Sequence, residues 1–554
     1  MMFKKIGKII LLLIAAIIIC SVLFYLRMIP AIGDTVEFIY DQAFNYRMTA
    51  EVIENGDVPK IDHLSTYPEG KEIKAFLPTG MYHICALFWK VLNRFTEIPL
   101  SRAILLFCSF FGSLIFVPVY FLSYEIYRNK TIAFTTAFLA GIIPAYLQRT
   151  SCYWYRYEVF GTPLIFTSLL FFIKAFIAQT EKKTILYSIL SVAFLIATLF
   201  IWRLGVLFLI VYIIVFLFIW LKEKKFQRKW RIIFFIVLGL SFLLIWFTPG
   251  FTGNNVVNNY GSFPGAAAQI IKHDIGIKQD FTEFTRVVYT TTELRRATLP
   301  DMFSAKYFSF SFIFVLFYFF AYFRKKTRTM QEKILFIFLS FFLALTFIFS
   351  RNKLLLGPLA ALTLGEGMTF AFKTNKRLKG IAILLIIIML AKTGYDSYTL
   401  VTTRQPHTKI RPNFKDALAV INEKTPKDAV ILCFWSDGYP VQTYCNRPTI
   451  VDGLLESPEI IRRIVEVSEI FYSYNEDNLW AFCKKYGATH VLMPKNKKQA
   501  TADFAGSKYA ERYLQEGVAA TNGTVLYKLI FTPEESNKFD YLYGNGEYNL
   551  YRVK

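Results

Sequence analysis

The chain has 554 residues, 55% of them hydrophobic, with 57 Phe and a mean hydropathy of +0.39. Apolar runs near 20 residues recur along most of its length, and each can cross a hydrocarbon core of roughly 30 Å as a helix, which excludes a purely soluble class. The net charge of +23 does not indicate a nucleic-acid partner, because its densest runs, Lys222–Arg231, Arg324–Lys333 and Lys373–Lys379, are short loops between apolar stretches. That is the positive-inside pattern of a membrane protein.

In chain order, the basic start Met1–Lys8 precedes an apolar run without a small-residue cleavage site, which predicts an uncleaved first span with a cytoplasmic N-terminus. About eleven spans are predicted, over 9–26, 103–124, 131–148, 160–180, 185–201, 204–221, 232–248, 306–323, 332–350, 353–372 and 379–396. The basic loops 128–130, 182–183, 222–231, 324–333 and 373–379 then all fall on the cytoplasmic side. The external segments are 27–102, 149–159 and 249–305. Leu77–Val91 is apolar but short and interrupted by Pro78 and His83, and reads as an interfacial piece.

A transmembrane domain over 1–400 is thus followed by an extracytoplasmic domain over 405–554. In that tail, Phe414–Lys424 and Pro458–Phe471 have the spacing of amphipathic helices. Ala429–Trp435, His490–Met493 and Thr524–Phe531 read as strands, rich in β-branched and aromatic residues. Alternating helices and strands predict a small α/β domain. The seven cysteines form no C-x-x-C pair, so a zinc site is not indicated. Glu366 stands inside an apolar span, where a carboxylate is costly unless a partner meets it.

The charged residues of the external face form four sets. Asp41 lies in Phe38-Ile39-Tyr40-Asp41-Gln42-Ala43-Phe44-Asn45-Tyr46-Arg47, just past the first span. Arg156 and Glu158 lie in Tyr155-Arg156-Tyr157-Glu158, on the turn between two spans. Glu293 closes Thr290-Thr291-Thr292-Glu293 in the long third loop, with Arg295 and Arg296 behind it. Arg351, in Ser350-Arg351-Asn352-Lys353, sits at an external span boundary seven residues before Pro358. The tail adds Phe434-Trp435-Ser436-Asp437-Gly438-Tyr439, followed by Asn446-Arg447-Pro448-Thr449-Ile450-Val451-Asp452-Gly453.

These blocks resemble those of the catalytic subunit of oligosaccharyltransferases. The first is similar to the family's F-D-P-x-x-N-Y-R block, with Gln42 in place of Pro. The second matches its D-x-D, D-x-E or D-x-H pair, with Arg156 in place of the first acid. The third is similar to its T-I-x-E motif. The tail resembles W-W-D-Y-G and R-P-T-x-x-D, with Ser436 where the family has Asp and Asp437 one place late.

The resemblance implies a GT-C type helical membrane domain followed by the α/β domain, and an inverting glycosyltransferase. It implies transfer of an oligosaccharide from a polyprenyl diphosphate to an Asn side-chain amide of an acceptor polypeptide. Asp41 and Glu293 would then be catalytic, and Asp41, Glu158 and Glu293 would hold Mn²⁺ or Mg²⁺. Arg351 and Arg156 would meet the donor phosphates, and Trp435, Ser436 and Asp437 would line the acceptor site. The expected setting is a prokaryotic plasma membrane and a single subunit. The substitutions at 156 and 436 leave two alternatives open: a lipid-phosphosugar enzyme with another acceptor, and a non-catalytic membrane protein that binds lipid-linked sugars.

Overall fold

The computed structural model describes residues 2–31, 37–222, 232–241, 265–266, 268–269, 272, 282–290, 297–373, 376–403, 410–453, 455 and 457–554. The chain divides into two compact units. One comprises Met1–Val36, Pro78–Thr248 and Arg296–His407, and the other Glu37–Leu77, Pro249–Arg295 and Thr408–Lys554. The external segment 27–102 is therefore shared between the two, and its residues 37–77 belong with the tail.

The first unit is helical. Among the described residues, eight helical segments are long and apolar enough to cross a membrane: Ile14–Ala31, Leu100–Tyr127, Glu158–Ile177, Glu181–Ile201, Arg203–Leu221, Met330–Ile348, Ser350–Lys373 and Lys379–Thr403. Gly80–Leu92, Lys130–Ile142 and Ser309–Arg324 are shorter apolar helices. The span expected over 232–248 is described only as far as 241.

Two expected spans are interrupted, each by a proline. The run over 103–124 splits into Leu100–Ser113 and Phe116–Tyr127. Pro118 has no N–H to give the carbonyl of Leu114, which accepts from Val117 N at 3.0 Å instead. The run over 131–148 stops at Ile142 because Ile143, preceding Pro144, is steered to φ −57°, ψ 128°. A one-turn helix, Pro144–Leu147, then leads into the turn that carries the first candidate site. Glu366 finds its partner in Lys325, whose Nζ lies 2.9 Å away and 2.7 Å from Glu332.

The second unit carries a four-stranded sheet. A two-stranded ribbon comes first in sequence, β1 (Ile61–Asp62) with β2 (Lys71–Glu72). The sheet then comprises β3 (Ile431–Cys433), β4 (His490–Pro494), β5 (Phe539–Gly544) and β6 (Tyr548–Val553), in the order β3-β4-β6-β5. β3 and β4 are parallel and the other pairs antiparallel. Helix Pro412–Lys424 buries Phe414, Ala417, Leu418 and Ile421, one face at helical spacing, in a core with Ile431, Leu492, Tyr548 and Leu550.

The expected helix over 458–471 forms as Pro458–Phe471. The expected strand over Thr524–Phe531 is instead helix Val525–Phe531. Thr524 caps it by accepting from Tyr527 N at 3.2 Å. Val525, Leu526, Leu529 and Ile530 are buried at helical rather than alternating spacing. Cys433, Cys445 and Cys483 are all free thiols.

Candidate functional site

Each unit carries a cluster of the singled-out residues. In the first, the turn after Pro144–Leu147 is held by a fully buried arginine, Arg27. Its Nε donates to Thr150 Oγ1 at 3.2 Å, and Nη1 and Nη2 donate to the carbonyls of Leu23 and Gly141, each at 2.9 Å. Its own carbonyl accepts from Cys152 N at 3.1 Å. These bonds pin the segment between Arg149 and Arg156. Glu158 follows as the first residue of helix Glu158–Ile177 and is fully buried.

Three guanidinium groups converge on that carboxylate. Arg149 Nη1 lies 3.4 Å and Arg351 Nη2 3.2 Å from Oε1, and Arg156 Nε lies 4.0 Å from Oε2. Arg149 and Arg156 both lean on the Trp154 ring, at 4.7 and 5.4 Å from its centroid. Arg351 arrives from the short turn Ser350–Asn352 between two long helices. Arg149 was not singled out by sequence reasoning; a signal was available, since it lies nine residues before Glu158 on the same turn.

In the second unit, Asp41 stands in the first turn of helix Tyr40–Asn55. A Cβ on Gly453 would lie 3.2 Å from Asp41 Oδ1 and 2.6 Å from the Tyr439 ring, so glycine at 453 lets the acid and the ring approach that backbone. A Cβ on Gly438 would meet the Val451 carbonyl at 2.7 Å, which requires glycine there too. The two tail blocks are thus folded onto each other with Asp41 beside them.

A buried polar chain fixes this arrangement. Arg47 donates to both oxygens of Asp62, at 2.9 and 2.6 Å, and to Gln442 Oε1 at 2.9 Å. Gln442 Nε2 donates to Thr449 Oγ1 at 2.7 Å and to Asp452 Oδ2 at 2.9 Å, and Ser65 also donates to Asp452. Arg447 closes the loop through the carbonyls of Cys445 and Thr425, at 2.8 and 3.1 Å. Gln442 carries no charge and matches no motif, so nothing in the sequence marked it.

Trp435 starts a short helix, and its indole Nε1 has no hydrogen-bond partner. Ser436 and Asp437 turn inward and are buried. Ser436 donates to Asp437 Oδ1 at 3.3 Å, and Tyr548 to Oδ2 at 3.4 Å. Burial pushes the Asp437 carboxyl up to about 6, against the opposing pull of Lys497, Ser436, Arg411 and Tyr548.

A carboxyl raised in the folded state holds its proton more tightly there than in the unfolded chain. Its contribution to stability therefore falls as pH rises from near 4, the ordinary aspartate value, to about 6, and stays low above that. Asp437→Asn is expected to gain on the unsubstituted chain across that window, by on the order of 2–3 kcal/mol. Paired thermal unfolding of the two proteins at pH 4, 5, 6 and 8 reads this; a difference that does not change with pH would contradict it.

Glu293, with Thr291, Thr292, Arg295 and Arg296, lies outside the described residues. Among the described residues no group of three or more His, Cys, Asp or Glu side chains is arranged to hold a metal ion.

A helical membrane unit joined to a small α/β unit, with these clusters on the turns and loops, defines a GT-C type membrane glycosyltransferase. The family model described as oligosaccharyl transferase STT3, N-terminal, matches residues 33–400, and the chain belongs to that family. It is an oligosaccharyltransferase-type enzyme of protein glycosylation.

Solved structures share the fold. The archaeal oligosaccharyltransferase AglB from Archaeoglobus fulgidus, in complex with an inhibitory peptide and a dolichol-phosphate, aligns with a TM-score of 0.73 at 14% identity, covering 95% of this chain and 80% of that one. The Archaeoglobus fulgidus oligosaccharyltransferase in the apo form gives 0.74 at 13%, over 95% and 79%. Its complex with Zn and sulfate gives 0.73 at 14%, over 95% and 78%. No curated protein sequence matches the chain significantly.

Proposed function

We propose that the chain transfers an oligosaccharide from a polyprenyl diphosphate to the side-chain amide of an acceptor asparagine, as a single subunit of a prokaryotic plasma membrane with its tail domain external. The observation that carries this reading is the set of three arginines around Glu158, a preformed seat for a diphosphate leaving group. The anomeric C–O bond to the diphosphate breaks and a C–N bond to the amide forms with inversion. The amide proton passes to a carboxylate or to solvent, and the polyprenyl diphosphate departs.

An amide nitrogen is a poor nucleophile because its lone pair is delocalised. Asp41 and Glu293 accept its two N–H bonds and turn it out of conjugation. Arg351 and Arg156 meet the charge that builds on the leaving group. Trp435, Ser436 and Asp437 line the acceptor site. The archaeal complex with a peptide and a dolichol-phosphate supports a lipid-linked donor and a peptide acceptor for this fold.

Mn²⁺ or Mg²⁺ would neutralise charge on the diphosphate, and the Archaeoglobus structure with Zn supports a divalent ion in a related protein. Around Glu158 the residues present do not fit such an ion, because three guanidinium groups within 4.0 Å oppose a further cation. Asp41 and Glu293 remain its proposed ligands, and no step assigned to the residues above depends on it.

The burial of Ser436 and Asp437 favours one alternative, the same donor with an acceptor other than a strict N-x-S/T asparagine. A single assay separates the two. The detergent-purified chain is incubated with lipid-linked oligosaccharide, Mn²⁺ and two fluorescent peptides, one with Asn-Ala-Thr and one with Gln-Ala-Thr. A mass shift on the Asn peptide alone is expected. Donor consumption without a shift on either peptide would move the acceptor elsewhere.

A further inference from the structure

Two Asn-x-Thr triplets, the pattern that marks an asparagine as a glycan acceptor, occur in the chain: Asn129-Lys130-Thr131 and Asn522-Gly523-Thr524. The first lies in the basic loop 128–130, on the face read as cytoplasmic, and Asn129 already caps helix Lys130–Ile142 by accepting from Ile132 N at 3.2 Å. The second lies in the tail domain, on the face read as external, and no role described above uses it.

The turn that carries the second triplet divides it. Thr521 and Thr524 are fully buried, while Asn522 and Gly523 between them are exposed. Asn522 N donates to the carbonyl of Ala519 at 3.0 Å, and Gly523 takes φ +75°, which glycine adopts without strain. A Cβ on Gly523 would stand 3.6 Å from the Tyr474 ring, which is 62% exposed and whose hydroxyl accepts from Arg512 Nη1 at 3.1 Å. An open aromatic face thus lies one residue from Asn522, and the C–H face of a sugar ring packs on such a surface. A bulky, polar glycan needs a surface position of this kind.

The hydroxyl of the triplet is in the opposite state. Thr524 Oγ1 donates to the carbonyl of Thr521 at 2.6 Å and accepts from Tyr527 N at 3.2 Å, as the cap of helix Val525–Phe531. That helix is held in turn by Val525 N on the Ser473 carbonyl at 2.9 Å and by Asn549 Nδ2 on the Leu529 carbonyl at 2.8 Å. In the folded tail the amide is therefore accessible and the hydroxyl is not. Both parts of the Asn-x-Thr signal can be read together only while this helix is open.

We propose that Asn522 is a glycan acceptor of this chain itself, modified by a second, already folded copy before helix Val525–Phe531 closes over Thr524. This rests on the proposed transfer to asparagine and on the external placement of the tail domain. The anomeric C–O bond to the donor diphosphate breaks and a C–N bond to Asn522 Nδ2 forms. Nδ2 gives up one proton, to a carboxylate of the transferring copy or to solvent, and the diphosphate leaves with the electron pair of the broken bond. The finished glycan stands on a surface turn beside the Tyr474 ring, with Thr524 capping the helix beneath it. The final fold thus accommodates the modification but does not receive it.

The test compares three samples by mass spectrometry. The first is the full chain purified from membranes that contain lipid-linked oligosaccharide. Its tryptic peptide 513–528, cut after Arg512 and Lys528, is expected to carry the glycan on Asn522. Asn522→Gln is expected to remove all glycan mass from the intact chain. The second is the full chain made without donor, folded in detergent, and then given lipid-linked oligosaccharide and Mn²⁺. The third is free peptide 513–528 added to that same mixture. The free peptide is expected to be modified at least about tenfold faster than Asn522 of the folded chain.

An unmodified 513–528 from the membranes, with the free peptide still a substrate, overturns this inference and leaves the transfer reading standing. Folded chain modified as fast as the free peptide overturns the order of transfer and folding. A glycan found in the membrane sample, with a free peptide that the chain does not modify, assigns the modification to another enzyme and overturns self-transfer. No modification in any sample removes transfer to asparagine, and this inference with it.

Discussion

Alanine in place of Asp41 is expected to lower glycan transfer by at least about 10²-fold in kcat while the protein still inserts and purifies. The expectation follows from what an amide needs. Its nitrogen attacks only when both N–H bonds are held by acceptors outside the conjugated plane, and a methyl group accepts nothing. Asp41 stands in the first turn of its helix, and its Oδ1 occupies the space, shared with the Tyr439 ring, that a side chain at Gly453 would fill. The helix is anchored through Arg47, which donates to Asp62 and Gln442.

Asp41→Asn makes the distinction sharper. It keeps the size and one acceptor oxygen but loses the charge, and it should fall close to alanine if charge is what turns the amide. Glu293→Ala should match it, since each acid is proposed to take one of the two N–H bonds. Turnover at saturating acceptor peptide, with peptide KM measured alongside, is the readout. Loss confined to KM would make these residues binding groups, and retained turnover in both variants would sink the proposed mechanism.

How much of this was legible in the sequence depended on distance along the chain. The helix over 458–471 was legible because its apolar residues recur at helical spacing within one window. The helix over 525–531 was not, because Val, Leu, Ile and Phe in a short run satisfy either period, and the capping hydroxyl of Thr524 decides it. Pro118 and Pro144 lie inside runs whose hydropathy is otherwise continuous, so hydropathy alone reads each run as one span.

The candidate site followed the same rule. Arg156 and Glu158 are two residues apart and could be read together. That Arg351 shares Glu158 with them is a contact across 193 residues, which no local pattern announces. Asp437 was visible one place late, but its burial and its bond from Tyr548, 111 residues on, were not. The uncharged Gln442, which joins Arg47 to Asp452, lies 395 residues from Arg47, and no local pattern announces it.

That buried junction sets the second large effect. Asp62→Ala is expected to destabilise the tail-domain unit by about 3–5 kcal/mol, because it strands a buried guanidinium. Arg47 is 11% and Asp62 3% exposed in their side chains, and the pair makes two parallel bonds. With Asp62 gone, Arg47 retains Gln442 as a side-chain acceptor among the described residues. Gln442 is then drawn away from Asp452, which Ser65 also holds. The damage spreads from the first segment to the folded tail blocks, and Asp41 loses its seat beside Gly453.

The cost lies in the stranded charge rather than in the lost attraction, and a double substitution separates the two. Arg47→Met with Asp62→Leu removes both charges and keeps apolar volume, so it should recover much of what Asp62→Ala loses. Thermal unfolding in detergent of the two single variants and the double variant forms the cycle. Recovery in the double variant, together with transfer activity that stays low in Asp62→Ala, would show the pair acting as a latch for the segment that carries Asp41. A double variant no more stable than Asp62→Ala would mean that the hydrogen-bond geometry of the pair, and not its charge balance, holds the junction.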